Sequence, residues 1–153
     1  MGKKLEKKEF RQYGAYGIII KDDKILLIKK NGGPYDGKLD LPGGTIEFHE
    51  KPENTLKREL LEEVGIVVKK FKLLDADSVY FEWEFNNLLI DGHHVGIFYE
   101  VLEFENNIQS SLNIDEVNDD SLGAEFYSIK KLNKTDLSLI ALLELEKLGY
   151  KLK

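Results

Sequence analysis

Residues 44–66 read GTIEFHEKPENTLKRELLEEVGI, and this stretch decides the fold. Pro52 suits the first position of a helix, where its missing N–H is not needed. Glu53 lies close to the positive end of the helix dipole. Gly65 suits a left-handed cap, so the spacing predicts a helix over 52–64. Leu56, Leu60, Leu61 and Val64 form its apolar stripe. Glu59, Glu62 and Glu63 recur at helix spacings of three and four, which gathers three carboxylates in one patch beside that stripe. Such a patch repels itself and invites a cation. A hard cation held by oxygens keeps waters and recruits phosphates.

On the N-terminal side, residues 15–21 (AYGIIIK) and 24–30 (KILLIKK) predict two strands joined at Asp22-Asp23. Their near-continuous apolar runs suggest a sheet covered on both faces. Residues 31–37 (NGGPYDG) read as a loop, and 39–44 (LDLPGG) lead into the helix. On the C-terminal side, 66–77 and 78–90 look extended, and Asp91-Gly92 is a turn signal. Residues 94–104 read as a buried strand, 105–123 as a polar, acidic loop and 124–129 as a short strand. A last helix is expected over 136–148, capped by Thr135 and stopped by Gly149. The 153 residues carry neither an internal repeat nor a linker-like stretch, so one domain spanning 1–153 is expected.

An apolar fraction of 42% argues for a globular chain, and a net charge of −6 argues against stable nucleic-acid binding through a basic surface. With no cysteine, thiol and disulfide chemistry are excluded. No apolar run approaches the ~20 residues of a membrane span. The polar, basic start MGKKLEKKEFRQ lacks the apolar core of a secretory signal, so a cytoplasmic protein without membrane association is expected.

Gly44, Glu50, Arg58-Glu59-Leu60, Glu62-Glu63 and Gly65-Ile66, at these spacings and preceded by 39–44, resemble the Nudix box at every defined position. The resemblance implies an α/β fold, a Nudix-like α/β/α sandwich with a mixed β-sheet between helices. It also implies Mg²⁺- or Mn²⁺-dependent hydrolysis of a nucleoside diphosphate linked to another moiety, with a small nucleotide as substrate. Glu59, Glu62 and Glu63 would be metal ligands, together with the backbone carbonyl of Gly43 or Gly44. Glu50 would bind the metal directly or support a ligand, and Arg58 would pair with a carboxylate and fix its orientation. The general base varies in the family, and here is Glu59, Glu62 or an acid of the later loop. That loop offers Asp115, Glu116, Asp119 and Asp120, with Asp120 as the loop candidate.

One departure is His49, where the family commonly has glycine; His is among the better tolerated residues if that position needs positive φ. His93 and His94 are adjacent on a strand and point to opposite faces, so they do not share an ion. Phe81, Trp83 and Phe85 share a face that suits the core, while Trp83 and Phe81 are the candidates for stacking on a base. The compact length suits a MutT-type pyrophosphohydrolase that releases a monophosphate and pyrophosphate from a nucleoside triphosphate, intact or modified. The alternative is a nucleoside-diphosphate sugar or ADP-ribose. The ADP-ribose branch usually has a proline shortly after the box, and Pro34, Pro42 and Pro52 all precede or lie within it. A related isomerase would need a catalytic cysteine. A binding module that lost catalysis would lack box glutamates, and none is missing. Many relatives are dimers, which makes a homodimer a further expectation.

Overall fold

In the computed structural model, which describes residues 5–106 and 121–153, a mixed sheet and a smaller antiparallel sheet pack with two helices. The strands are β1 (Glu6–Ile18), β2 (Ile20–Lys21), β3 (Lys24–Lys30), β4 (Leu39–Asp40), β5 (Gly43–Thr45), β6 (Ile66–Phe85), β7 (Leu88–Asn106) and β8 (Ser121–Ser128). One sheet runs β5-β1-β7-β6, and it is mixed because β1 and β7 are parallel while the other pairs are antiparallel. The second runs β2-β3-β4, with β8 paired to β3. The helices are α1 (Pro52–Val64) and α2 (Leu139–Lys147).

Alternation along β1 divides the core in two. Ala15 and Ile19 face α1 and pack with Leu56, Leu60, Tyr99 and Val101. Tyr16 and Ile18 face the other way and pack with Phe98, Ile140 and Leu145 around α2. Full burial of Leu56 and Leu60 contributes about 1.5–3 kcal/mol each, which holds α1 at a fixed rotation. Both faces of the sheet are therefore covered, as the apolar runs suggest.

α1 has the bounds its end signals predict, with Gly65 left-handed at φ 73°. Its buried face differs by part of a turn: Thr55, Leu56, Leu60 and Glu63 point inward, and Leu61 is 44% exposed. The hairpin turn also differs from expectation. It lies at Asn86-Asn87, both at positive φ, which suits a two-residue connection between twisted strands. Asp91-Gly92 instead lies within β7, opposite Glu82 and Phe81. Gly92 is there because the Phe81 ring covers it: a Cβ would lie 2.2 Å from Phe81 Cζ. β6 is continuous from 66 to 85, and β1 starts at Glu6 rather than Ala15. Residues 6–11 are exposed, so this part of β1 forms by pairing with β7 and shows no burial pattern. β7 extends to Asn106 and β8 starts at Ser121; the predicted loop between them falls mostly on 107–120, outside the described residues. α2 begins later than expected, at Leu139, with Ser138 as cap accepting from the Ala141 N–H. Residues 134–136 make a separate 3₁₀ turn closed by Asn133 and Asp136. Among the described residues no helix is long and apolar enough to cross a membrane.

Lys147 pins α2 to β6 by ion pairs with Asp75 and Asp77. Beside it, burial and the neighbouring Asp75 push the Glu144 carboxyl up to about 8. The folded state thus holds this proton more tightly than the unfolded chain. The stability it brings is complete below about pH 4.5 and is lost as pH rises through 8. Glu144→Gln is expected to match the parent in Tm at pH 4.5 and to exceed it increasingly towards pH 8.5. Differential scanning calorimetry across that range checks the sign.

Candidate active site

α1 turns its acids toward the edge where β5 pairs with β1. Glu63 is buried, and its Oε1 accepts the Gly43 N–H at 2.8 Å. Gly44 gives room to the next acid: a Cβ there would lie 2.5–2.8 Å from the Glu59 carboxylate. The double glycine thus lets the β5 backbone approach two carboxylates of α1 at once.

Arg58 binds the remaining acids together. Its Nε donates to Glu50 Oε2 at 2.8 Å and its Nη2 to Glu50 Oε1 at 3.0 Å, a two-pronged pairing. Nη1 donates to Glu59 Oε1 at 2.9 Å and to Glu62 Oε2 at 3.3 Å. The hydroxyl of Thr55 donates to Glu50 Oε1 at 2.6 Å. Hydrogen bonds from Arg58 and Thr55 hold the Glu50 carboxyl down to about 2. Glu50 is therefore the brace of Arg58 and does not line the cavity described below. The loop carrying it contains His49 at φ +68°, the left-handed conformation anticipated for that departure.

These groups border a cavity of about 380 Å³. Gly43, Gly44, Thr45, Glu47, Glu59, Glu62 and Glu63 line it, together with Gln12, Tyr16, Lys30, Tyr35, Asp40 and His94. The Glu63 carboxyl is pushed well up, first by burial, against the Gly43 N–H, and further by the charges of Glu59 and Asp40. So many carboxylates around one space, with oxygen the dominant donor, fit a hard divalent cation. In this arrangement, and among the described residues, no three acids or histidines converge into a ready coordination shell. Glu59 and Glu62 reach Arg58, while Glu63 reaches Gly43.

The structure brings together Gly43, Gly44, Glu59, Glu62 and Glu63 around the cavity, with Arg58 and Glu50 behind them. Asp115, Glu116, Asp119 and Asp120 lie outside the described residues. Phe81 reaches the cavity only through Tyr35, edge-on at 5.8 Å, and Trp83 stacks on Phe85 at 4.7 Å instead of lining it. His93 and His94 do face opposite ways: His93 stacks on Tyr80, and His94 is buried against Tyr16 and Tyr35. Sequence reasoning missed Tyr16, Lys30, Tyr35, Asp40 and the cavity-facing position of His94. The one local signal was Asp40 between two leucines, a buried acid that accepts from the Leu41 N–H and the Ser138 hydroxyl.

Arg58→Ala is expected to lower stability by about 2–3 kcal/mol in metal-free buffer, since it leaves partly buried carboxylates facing one another. Saturating Mg²⁺ should restore a larger share of Tm in the variant than it adds to the parent. Paired thermal melts with and without Mg²⁺ check both parts.

A family model described as "NUDIX domain" matches residues 11–143. The chain is 39% identical over 82 residues to an ADP-ribose pyrophosphatase of Methanocaldococcus jannaschii, covering 48% of each chain. It is 33% identical over 91 residues to an 8-oxo-dGTP diphosphatase of Escherichia coli, covering 58% of this chain and 64% of that one. The matches thus span about half to just under two thirds of these curated relatives. A crystal structure of a MutT NUDIX hydrolase from Burkholderia pseudomallei superposes with a TM-score of 0.72 at 25% identity, over 92% of this chain and 99% of that one.

Proposed function

The chain belongs to the NUDIX family, and on that premise we propose that it hydrolyses a nucleoside diphosphate linked to another moiety, foremost a nucleoside triphosphate, intact or modified, to the monophosphate and pyrophosphate. The observation that carries this reading is the crowding of Glu59, Glu62 and Glu63 around a cavity against the Gly43-Gly44 backbone. Mg²⁺ or Mn²⁺ would be held by these three acids, with a carbonyl of Gly43 or Gly44. When bound, the ion supplies positive charge against the diphosphate and acidity toward water. Arg58 keeps Glu59 and Glu62 in place through a planar fork that no lysine reproduces. A carboxylate at the cavity takes the proton of the attacking water. Glu62 suits this role best, because it is the most exposed of the three acids and keeps one long contact to Arg58. Water adds to phosphorus, the bridging P–O bond breaks, and the bridging oxygen leaves with the departing phosphate group.

A second reading is a nucleoside-diphosphate sugar or ADP-ribose as substrate, favoured by the similarity to the archaeal ADP-ribose pyrophosphatase. A panel with Mg²⁺ separates the two. Nucleoside triphosphates should yield pyrophosphate, while ADP-ribose should yield AMP and ribose 5-phosphate. No hydrolysis of any member, from neutral to mildly alkaline pH, would leave a nucleotide-binding module without catalysis.

A further inference from the structure

The cavity also holds a hydrogen-bonded chain, from β1, β7 and the loop after β3, that the proposed hydrolysis does not use. His94 on β7 is 2% exposed and lies between two phenol oxygens. Tyr16 Oη is 2.5 Å from its Nε2, and Tyr35 Oη is 3.0 Å from its Nδ1. The Tyr35 ring stacks on the imidazole at 5.7 Å and meets Phe81 edge-on at 5.8 Å. All three members of the chain line the cavity.

Burial and the nearby Lys30 push the imidazole down to about 4, so at neutral pH it carries a single proton. A phenol keeps its hydrogen at neutral pH, so both tyrosines remain donors. Counting hydrogens then gives three for two internal bonds. One hydrogen is left over, and the tautomer of His94 decides where. With the proton on Nδ1, the ring donates to Tyr35, Tyr16 donates to the ring, and Tyr35 keeps a hydrogen to give away. With the proton on Nε2, Tyr16 keeps it.

We infer that Tyr16, His94 and Tyr35 form a relay that presents one neutral donor, from Tyr35, to a hydrogen-bond acceptor on the nucleoside part of the substrate. This deepens the function proposed above and rests on it. The acids of α1 line the same cavity and suit the diphosphate with its cations. Beside Gln12, Lys30 and Asp40, the stacked rings of Tyr35 and His94 suit a flat group, and the spare Tyr35 hydrogen suits an uncharged acceptor on it. Tyr35 would touch the substrate, and His94 would act through it as a positioning residue.

The ring nitrogens of His94 report the tautomer in long-range ¹⁵N–¹H spectra, with His49→Gln and His93→Gln assigning the other two histidines. Probes are the α,β-methylene analogues of ATP and GTP, and pyrophosphate, each with Mg²⁺ at neutral pH. We expect at least one nucleotide analogue to shift the His94 tautomer toward Nδ1–H and pyrophosphate to leave it unchanged. Tyr35→Phe should abolish that shift and weaken the analogue about tenfold, with pyrophosphate affinity unaltered. Calorimetric binding of an analogue without movement of the His94 nitrogens would overturn the relay. So would an equal response to pyrophosphate, or analogue affinity unchanged in Tyr35→Phe. If neither nucleotide nor pyrophosphate binds, the proposed function itself fails and the relay falls with it.

Discussion

Glu62→Gln is expected to lower kcat about a thousandfold while moving Tm by no more than about 4 °C. The two halves of this expectation have separate causes. The side chain is 56% exposed and its ion pair to Arg58 is 3.3 Å long, so the fold gains little from it. Exposed pairs of this kind contribute about 0–1 kcal/mol, which is up to about 4 °C in a chain of this size. Turnover depends on the same charge quite differently. In the proposed hydrolysis a carboxylate facing the cavity would act on the reacting phosphate and water, where a removed charge or base costs several kcal/mol of transition-state stabilisation. At about 1.4 kcal/mol per tenfold, that is about three orders of magnitude. Glu53→Gln is the control: the residue is on the same helix and does not line the cavity. Steady-state kinetics with Mg²⁺ and a calorimetric scan of both variants decide the matter. A Glu62→Gln enzyme within threefold of the parent would remove Glu62 from the machinery.

α1 was legible because its signals are local. Pro52 and Gly65 act through their own backbone preferences, and both ends of the helix fall where those preferences put them. The buried face was less legible. Periodicity says that an apolar stripe exists, but only the partner surface decides its centre. Here the centre falls between Leu56 and Leu60 and brings Glu63 inside, where the Gly43 N–H satisfies it. A buried glutamate is not an expectation that a hydrophobic stripe can produce. Gly92 shows the converse error. A glycine after an aspartate reads as a turn, yet its lack of a side chain serves the Phe81 ring across the strand pair.

The meeting of Tyr16, Tyr35 and His94 at the cavity was not legible for a different reason. Tyr16 and His94 are separated by 78 positions, and Tyr35 and His94 by 59. Parallel pairing of β1 with β7 puts Gln12 opposite His94, and the loop after β3 folds Tyr35 over the ring. No local pattern encodes such a meeting. The acids of α1 were found because one helix carries them all within five residues.

Gly43→Ala is expected to be the most damaging single methyl group in the site. Gly43 holds φ +145°, which side chains rarely adopt, and an added Cβ would lie 2.2 Å from the Ala15 carbonyl oxygen and 2.7 Å from Tyr16 Cα. Both obstacles are backbone atoms of β1, paired on its other side with β7, so neither can move without disturbing the sheet. Backbone strain and overpacking each cost about 1–3 kcal/mol, and together they suggest a loss of about 3 kcal/mol or more. At about 2–4 °C per kcal/mol, Tm should fall by about 6–12 °C. Gly33→Ala isolates the conformational part. Gly33 also has positive φ, at +75°, but nothing lies within 4 Å of where its added methyl would sit, so about 1–2 kcal/mol is expected there. Activity separates the pair further. Displacing β5 would carry the Gly43 N–H away from Glu63 and open the contact on which the acid cluster is built. Gly43→Ala should therefore lose turnover even at temperatures where calorimetry finds it fully folded. Equal Tm for the two variants would mean that β5 can retreat from β1, and the close approach of backbone to carboxylates would not be what this glycine provides.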